Sequence, residues 1–408
     1  MPGVFSCSVY GRAVARCRFS VLNKDLRGRL QRVCRQVKMP KAEKGDIVRV
    51  YIPDMTEFFT WMDQSGHGYV VLRGFDGFAN GYPAHGAKED IDLLVADDAL
   101  MPIQTRYRSH GKRQGVKCDV YSVSGQGHGG YLGLPYYPPA FAQQMIDSRR
   151  RFHNLFFVPD ARHHLLSLMY HVAYQKMEAS KLDIRDASLS AASKYPKEID
   201  ALCAETGDKI EHTLMAYHHF LKAAGLAAGY GVLAAYVQNQ FAHDVKSMFM
   251  AELFLECKGE LNMFVIRGVA VETGTHGALI DMLREHYKTV LVKDIPFITR
   301  AMESNKMRGG KWRRGGRPHI VVLVFDPAPM STTAEDCKVH PFVFNSRQFA
   351  KRGFREWFTK TTGRKPSANP LHSTDNEAEA VGHFPLFFSP HEQADIYIRL
   401  NDLRSKLS

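Results

Sequence analysis

From Asp46 to Val123 the chain alternates short apolar runs, "DIVRVYI", "GYVVLRG", "DIDLLVA" and "KCDVYSV", with separators rich in Gly, Pro and His. Runs of five to seven residues punctuated in this way read as strands, so this stretch predicts a mixed sheet with its site-bearing loops at the strand ends. The pattern then changes. After "VPDARHHLLSLMYHVAYQKM" the apolar positions Leu165, Leu168, Met169 and Val172 repeat at helical spacing behind Asp160, a residue suited to cap a helix. Residues 160–257 read mostly as helices. A third stretch opens on the buried-strand run "NMFVIRGVAV" and continues through "HGALIDMLREHY", "KTVLVKDI", a Gly-Arg loop and "IVVLVFD". That order of strand, helix, strand, loop, strand suggests an α+β sandwich.

At 408 residues the chain exceeds what one hydrophobic core usually serves, so several domains are expected. The boundaries read as a basic arm over 1–45, a mixed-sheet domain over 46–159, a helical domain over 160–257 and a second α+β domain over 258–408. No apolar run reaches the ~18 to 20 residues that span a bilayer. The first fifty residues hold twelve Lys/Arg against three Asp/Glu, a local +9 out of a total of +12. This arm lacks the apolar core of a secretory signal; it reads as a solvated basic face or phosphate-binding arm, with organelle targeting the lesser reading. Seven scattered cysteines without a CxxC pair point to a reduced, cytoplasmic chain without structural zinc.

Chemistry concentrates in two places. In "EDIDLLVADD" Asp90 and Asp92 leave the same face of a strand, and two such carboxylates repel unless a cation lies between them. With Asp119 of "VKCDVYS" on a neighbouring strand, the three could hold two Mg²⁺ or Mn²⁺ ions. The plain alternative makes Asp90 and Asp92 exposed positions of an edge strand. Upstream, "VVLRG" ends at Gly74, where backbone could approach a phosphate closely.

Residues 46 to roughly 180 resemble the nucleotidyltransferase superfamily with the DNA polymerase beta fold, whose pattern is a strand, Gly-Gly or Gly-Ser, a spacer, Asp-x-Asp and a third Asp on a later strand. Gly74 matches the first glycine, Asp90 and Asp92 the pair, and Asp119 the third acid; Phe75 replaces the small second residue, and the spacer Asp76–Glu89 is slightly long. The stretch looks closest to small-molecule members from bacterial surface-polysaccharide loci, in which "LRG", "DIDLLV" and a helix like "LMYHVAYQK" recur. The resemblance implies metal binding by Asp90, Asp92 and Asp119, and nucleotide-phosphate contacts from Arg73, Gly74 and Lys176. A packed His171 and a solvated Lys176 are the plain alternative. His163 and His164, adjacent on a helix, point about 100° apart and make a poor metal pair.

The second place is "NPLHSTDNEAEA". Here His372 could attack a phosphorus atom, with Asn369, Ser373 and Thr374 beside it and Asp375 placed to cap the following helix. Arg355 and Arg364 offer guanidinium groups upstream. Residues 262–395 or so resemble nucleoside diphosphate kinase: the order "FREWFTKTTGRKPSANPLHSTDNEAEAVGHFPLFFSP" follows the family's arginine, Gly-Arg turn and Asn-x-x-His-Gly-Ser-Asp motif. This resemblance implies a ferredoxin-like α/β sandwich and ping-pong transfer through phosphorylated His372, with Arg355 and Asn369 contacting the nucleotide. Arg267 takes the place of the family's substrate-binding lysine, Ser373 that of the glycine, and His383 that of the glutamate that orients the imidazole. The Gly-Arg loop, Lys306, Arg308, Lys311, Arg313, Arg314 and Arg317 around Trp312, could clamp a phosphate-rich substrate or single-stranded nucleic acid, or be a mobile, solvated loop.

The combined expectation is a metal-dependent nucleotidyltransferase that moves NMP from an NTP to a small sugar- or phosphate-bearing acceptor, with a C-terminal nucleotide-binding or phosphotransfer domain. Alternatives are an RNA-tailing enzyme and a catalytically inactive nucleotide-sensing or scaffolding protein. Oligomers are possible.

Overall fold

The computed structural model describes residues 47–75, 78, 90–107, 115–240, 245–297, 299, 306–307 and 312–407. The basic arm, the spacer before Asp90 apart from Phe78, and Arg308 and Lys311 of the Gly-Arg loop lie outside the described residues. Within them the protein is a mixed α/β structure with several small sheets.

The first sheet comprises β1 (Val48–Ile52), β2 (Tyr69–Val71), β3 (Ile91–Val95) and β4 (Val116–Ser122) in the order β1-β4-β3-β2. Strands β3 and β4 run parallel, and β1 and β2 are antiparallel to their neighbours. Parallel neighbours need a crossover, which helix Asp97–Tyr107 supplies. Helix Met55–Ser65 joins β1 to β2 and is capped by Asp54, whose side chain accepts from Glu57 N at 3.0 Å. Alternation divides the side chains. Val48, Val50, Leu93, Cys118 and Val120 pack under these helices, whereas Val70, Leu94 and Tyr121 face the opposite way. The hairpin β5 (Arg150–Phe152) and β6 (Phe156–Val158) lies against β2.

The expected helical stretch forms. Asp160 caps helix Ala161–Tyr170, accepting from His163 N at 2.9 Å, and the helix continues as a π-helical turn over His171–Lys176. Helices Pro196–Thr206, Leu214–Ala223, Tyr230–Gln240 and Met248–Leu253 follow.

The second sheet, wholly antiparallel, comprises β7 (Glu260–Arg267), β8 (Lys288–Asp294), β9 (Pro318–Asp326) and β10 (Leu371–Ser373) in the order β10-β7-β9-β8. One face packs on helices His276–His286 and Ala350–Thr362 through Leu279, Leu283, Phe354 and Phe358. The other joins the middle helices in a core that also takes Val70 and Leu94 of the first sheet. Side chains of all three expected segments thus enter one core. Glu377 ties the second and third segments further: buried, it binds Arg404 through both oxygens, accepts from Tyr230 Oη at 2.6 Å and from Leu261 N at 3.0 Å. The cap of helix Glu377–Gly382 is Asn376 and not Asp375. Asn376 Oδ1 accepts from Glu379 N at 2.9 Å, while Glu379 reaches back to Asp375 N at 2.6 Å, so the helix starts one residue later than expected. No helix among the described residues is long and apolar enough to cross a membrane.

Candidate functional site

The strand bearing Asp119 lies beside the one bearing Asp92, and the two residues are register partners. Because β3 lies between β4 and β2, the edge-strand reading of Asp90 and Asp92 does not apply. Arg49 on β1 is in turn the partner of Asp119. One face of the sheet therefore carries Arg49, Asp119 and Asp92 in a row.

Each carboxylate is answered by a basic side chain. Arg49 grips Asp119 with Nε at 2.7 Å and a terminal nitrogen at 3.3 Å. Arg73 lies 2.8 Å from Asp92 Oδ2, and Lys117 bonds Asp90 and stands 3.9 Å from Asp119. Burial pushes the Asp92 carboxyl above its ordinary value against the pull of Arg73, and the Asp119 and Asp90 charges add to the rise. The oxygen donors are of the kind hard divalent ions take. As arranged they do not fit such an ion, because three protein cations hold them and no three His, Cys, Asp or Glu side chains among the described residues gather as ligands.

Arg73 is fixed from behind. It donates to Tyr136 Oη at 2.8 Å, and that hydroxyl lies 3.0 Å from His171 Nδ1. His171 also stands 2.8 Å from Gln175 Oε1. Burial, reinforced by Arg73, holds the His171 imidazole well below its usual range, so it is neutral and packed, as the plain reading had it. Exposed Lys176, at the end of the π-helical turn, acts on Asp92 by charge. Gly74 has φ +70° with open space where a Cβ would stand. Phe75 is buried against Phe152 and His164, an apolar filler where the resemblance has a small residue. His163 bonds its own cap Asp160 at 2.8 Å, separately from His164. Arg49, Lys117 and Tyr136 were not singled out from the sequence, although the first two stand on the polar alternation of "DIVRVYI" and "VKCDVYS".

Around His372 the charges are unbalanced in the opposite sense. β10 pairs with β7, placing His372 opposite Val265 and near Arg267 at the strand end. Arg267 is 3% exposed, and among the described residues its guanidinium has no carboxylate within ion-pair distance; its Nε makes no hydrogen bond. It stacks on Trp312 at 4.7 Å, and burial, then the charge of Arg355, lowers its pKa to about 10. Arg355 donates to Leu371 O at 3.1 Å but leaves its own buried Nε unbonded. Lys351 donates to Ser373 Oγ at 2.9 Å and stands 3.9 Å from Asp375. His372 Nε2 is buried without a hydrogen-bond partner. Burial, helped by Arg267, Lys351, His383 and Arg355, holds this imidazole well below its usual range, so its ring keeps a lone pair at neutral pH. His383 lies buried close by, and the groups acting on His372 are cations and imidazole.

Asn369 serves the turn. Its Oδ1 accepts from Leu371 N at 3.3 Å, and its N donates to Arg314 O at 2.5 Å. The described part of the Gly-Arg loop is therefore docked here: Gly268 N donates to Arg317 O at 3.0 Å and Val269 N to Gly315 O at 2.9 Å. A Cβ on Gly315, at φ +153°, would stand 1.9 Å from Asn369 O. These bonds hold the backbone of residues 312–317 against the His372 turn, while Arg313, Arg314 and Arg317 are exposed, as the solvated reading has it. Arg364 is exposed in the turn after helix Ala350–Thr362.

No family model matches the chain, and no curated protein matches it. Among solved structures, the nucleoside diphosphate kinase of Aquifex aeolicus, in an orthorhombic crystal form, is similar over 33% of this chain and 98% of its own, at 18% identity and a TM-score of 0.22.

Proposed function

We propose that the protein handles nucleoside triphosphates at two sites, binding phosphates in the His372 pocket and transferring NMP to a small sugar- or phosphate-bearing acceptor at the Asp90, Asp92 and Asp119 face. The observation that carries the nucleotide reading is Arg267. A buried guanidinium without a carboxylate is costly, and phosphate oxygens would supply both the charge and the missing acceptors for Arg267, Arg355 and His372. In the pocket, the His372 lone pair would form a bond to the γ-phosphorus while the bond to the β,γ-bridging oxygen breaks and NDP leaves; return of the phosphoryl group to a second NDP frees the imidazole.

At the acidic face, an acceptor oxygen would bond to the α-phosphorus as the bond to the α,β-bridging oxygen breaks. Pyrophosphate leaves with the electron pair, and the acceptor's proton passes to a carboxylate of the face. Arg73, held by Tyr136, and Lys176 are the cations available to the triphosphate. Mg²⁺ or Mn²⁺, which the resemblance implies, enters only if Lys117 and Arg49 release their carboxylates. A second reading, a nucleotide-binding protein without turnover, is favoured by the same observation that all three carboxylates are already neutralised. The RNA-tailing alternative draws on the basic arm, outside the described residues, and on the Gly-Arg loop, of which Arg313, Arg314 and Arg317 are exposed.

The test incubates the protein with α- or γ-labelled ATP and Mg²⁺ or Mn²⁺ over a panel of acceptors, beside His372→Ala and the double variant Asp90→Ala, Asp92→Ala. Acid-labile γ-label lost only in His372→Ala supports phosphotransfer; α-label on an acceptor, lost only in the double variant, supports nucleotidyl transfer. Tight nucleotide binding with neither label transferred leaves the second reading.

A further inference from the structure

Beside the acidic face a cleft of about 390 Å³ opens between the β5–β6 hairpin and helices Ala161–Tyr170 and Pro196–Thr206. That volume is within the range of small-molecule sites, and the walls are of two kinds. The floor is aromatic: the Phe75 ring lies edge-on 5.1 Å from that of Phe152 and tilted 5.0 Å from the His164 imidazole. His164 is 3% exposed, and its Nε2 makes no hydrogen bond although Glu198 Oε1 is 3.4 Å away. The two groups are close enough to share one ligand atom and too poorly aligned to satisfy each other.

The rim is charged. Arg150 is held by Glu205 at 3.3 Å, while exposed Lys194 and Lys197 have no carboxylate within ion-pair distance among the described residues. Lys194 Nζ lies 5.3 Å from the Tyr195 ring centroid, and two ammonium groups without a carboxylate suit a phosphomonoester, which carries about −1.5 to −2 charge at neutral pH. The cleft also adjoins the acidic face. Phe75 is two residues beyond Arg73, and Tyr195, next to Lys194, has its ring 6.1 Å from that of His171 and feels the charges of Arg73 and Asp92.

We propose that this cleft binds a ring-bearing phosphomonoester, its ring against Phe75 and Phe152, one ring hydroxyl or amino group between His164 and Glu198, and its phosphate at Lys194 and Lys197. A sugar phosphate and a nucleoside monophosphate share this chemistry. The role of the ligand as acceptor rests on the nucleotidyl-transfer reading; its binding does not.

Calorimetry on the full chain without any triphosphate tests it, using glucose 1-phosphate and AMP as probes against glucose, adenosine and inorganic phosphate. The expected result is that at least one ester binds more tightly than all three controls. Its affinity should fall at least about tenfold in Lys194→Ala, Lys197→Ala, both surface positions, and persist in Arg267→Met, which removes the His372 pocket as a competing phosphate site. Glucose 1-phosphate alone identifies a sugar phosphate, AMP alone a nucleotide. No binding of either ester, inorganic phosphate binding as tightly as both, or affinity unchanged by the lysine changes overturns the proposal. Ester binding without NMP transfer in the labelled assay keeps this site and removes the nucleotidyl-transfer reading.

Discussion

The guanidinium of Arg267 lies 4.7 Å from the ring centroid of Trp312, and no carboxylate among the described residues answers its charge. A cation–π contact of this kind contributes about 2 kcal/mol when desolvated, less than the several kcal/mol that burying an ion costs. Even with its pKa lowered to about 10, Arg267 stays charged at neutral pH. The burial of this charge is therefore only partly offset within the described residues.

That imbalance makes Arg267→Met informative. In phosphate-free buffer the variant should melt no lower than the wild type, because the lost stacking is offset by the removed buried charge. Added ATP or inorganic phosphate should raise the wild-type melting temperature by mass action and leave the variant unmoved. Equal ligand-induced shifts in the two proteins would remove the pocket from the nucleotide reading.

Two glycines separate backbone strain from close approach. Gly74 has φ +70° and open space around it, so Gly74→Ala should cost only the left-handed backbone penalty, about 1 to 2 kcal/mol. At Gly315 a Cβ would meet Asn369 O at 1.9 Å and Arg267 Cδ at 3.2 Å. Gly315→Ala should therefore push the loop off the His372 turn and weaken phosphate binding as well as stability. Urea melts and phosphate titrations of the two variants decide this, and normal phosphate binding by the Gly315→Ala variant would contradict the docking.

Strand and helix types were legible because periodicity is a local property: the alternating runs became β1 to β4, and Asp160 capped the helix expected behind it. The row of Asp92, Asp119 and Arg49 was half legible. Side-chain parity placed the acids on one face, but which strand lies beside which is set by the crossover, so the pairing with Arg49 was not visible. The Gly-Arg loop was half legible for a related reason. Its composition reads as solvated, and Arg313, Arg314 and Arg317 are exposed, but its position is set by hydrogen bonds from Gly268, Val269 and Asn369, remote in sequence or silent in composition. The cap moved from Asp375 to Asn376 because either residue type serves, and only the reciprocal bond from Glu379 chooses between them.

Glu260 gives a pH signature independent of any ligand. It is 4% exposed on β7, its Oε2 has no hydrogen-bond partner, and burial raises its carboxyl to about 7. The unfolded chain releases this proton near the ordinary value of 4.5. The contribution to stability is thus fully present below that value and is lost as pH rises through about 7. Glu260→Gln, which keeps an acceptor for Gln348, should match the wild type near pH 4.5 and exceed it at pH 8.5 by up to about 3 kcal/mol. Urea unfolding at the two pH values measures the difference, and a gap of the same size at both would show that Glu260 is ionised in the folded protein.

The acidic face sets protein cations and metal ions in competition for the same oxygens. With Arg49 and Lys117 in place, Asp90, Asp92 and Asp119 are already neutralised, so millimolar Mg²⁺ or Mn²⁺ should shift the wild-type melting temperature little. In the double variant Arg49→Ala, Lys117→Ala the three carboxylates face one another with Arg73 on Asp92 and the weaker field of exposed Lys176 left to oppose their charge. That protein should melt lower than the wild type in chelator, by an amount that shrinks with salt because both removed side chains are partly exposed. It should also regain stability on adding Mg²⁺ or Mn²⁺, since a hard divalent ion replaces the lost charge. Melting curves of both proteins in chelator, Mg²⁺ and Mn²⁺ test the exchange. A wild-type shift as large as that of the variant would mean that Arg49 and Lys117 yield their carboxylates to the metal without being removed, and would favour nucleotidyl transfer over binding without turnover.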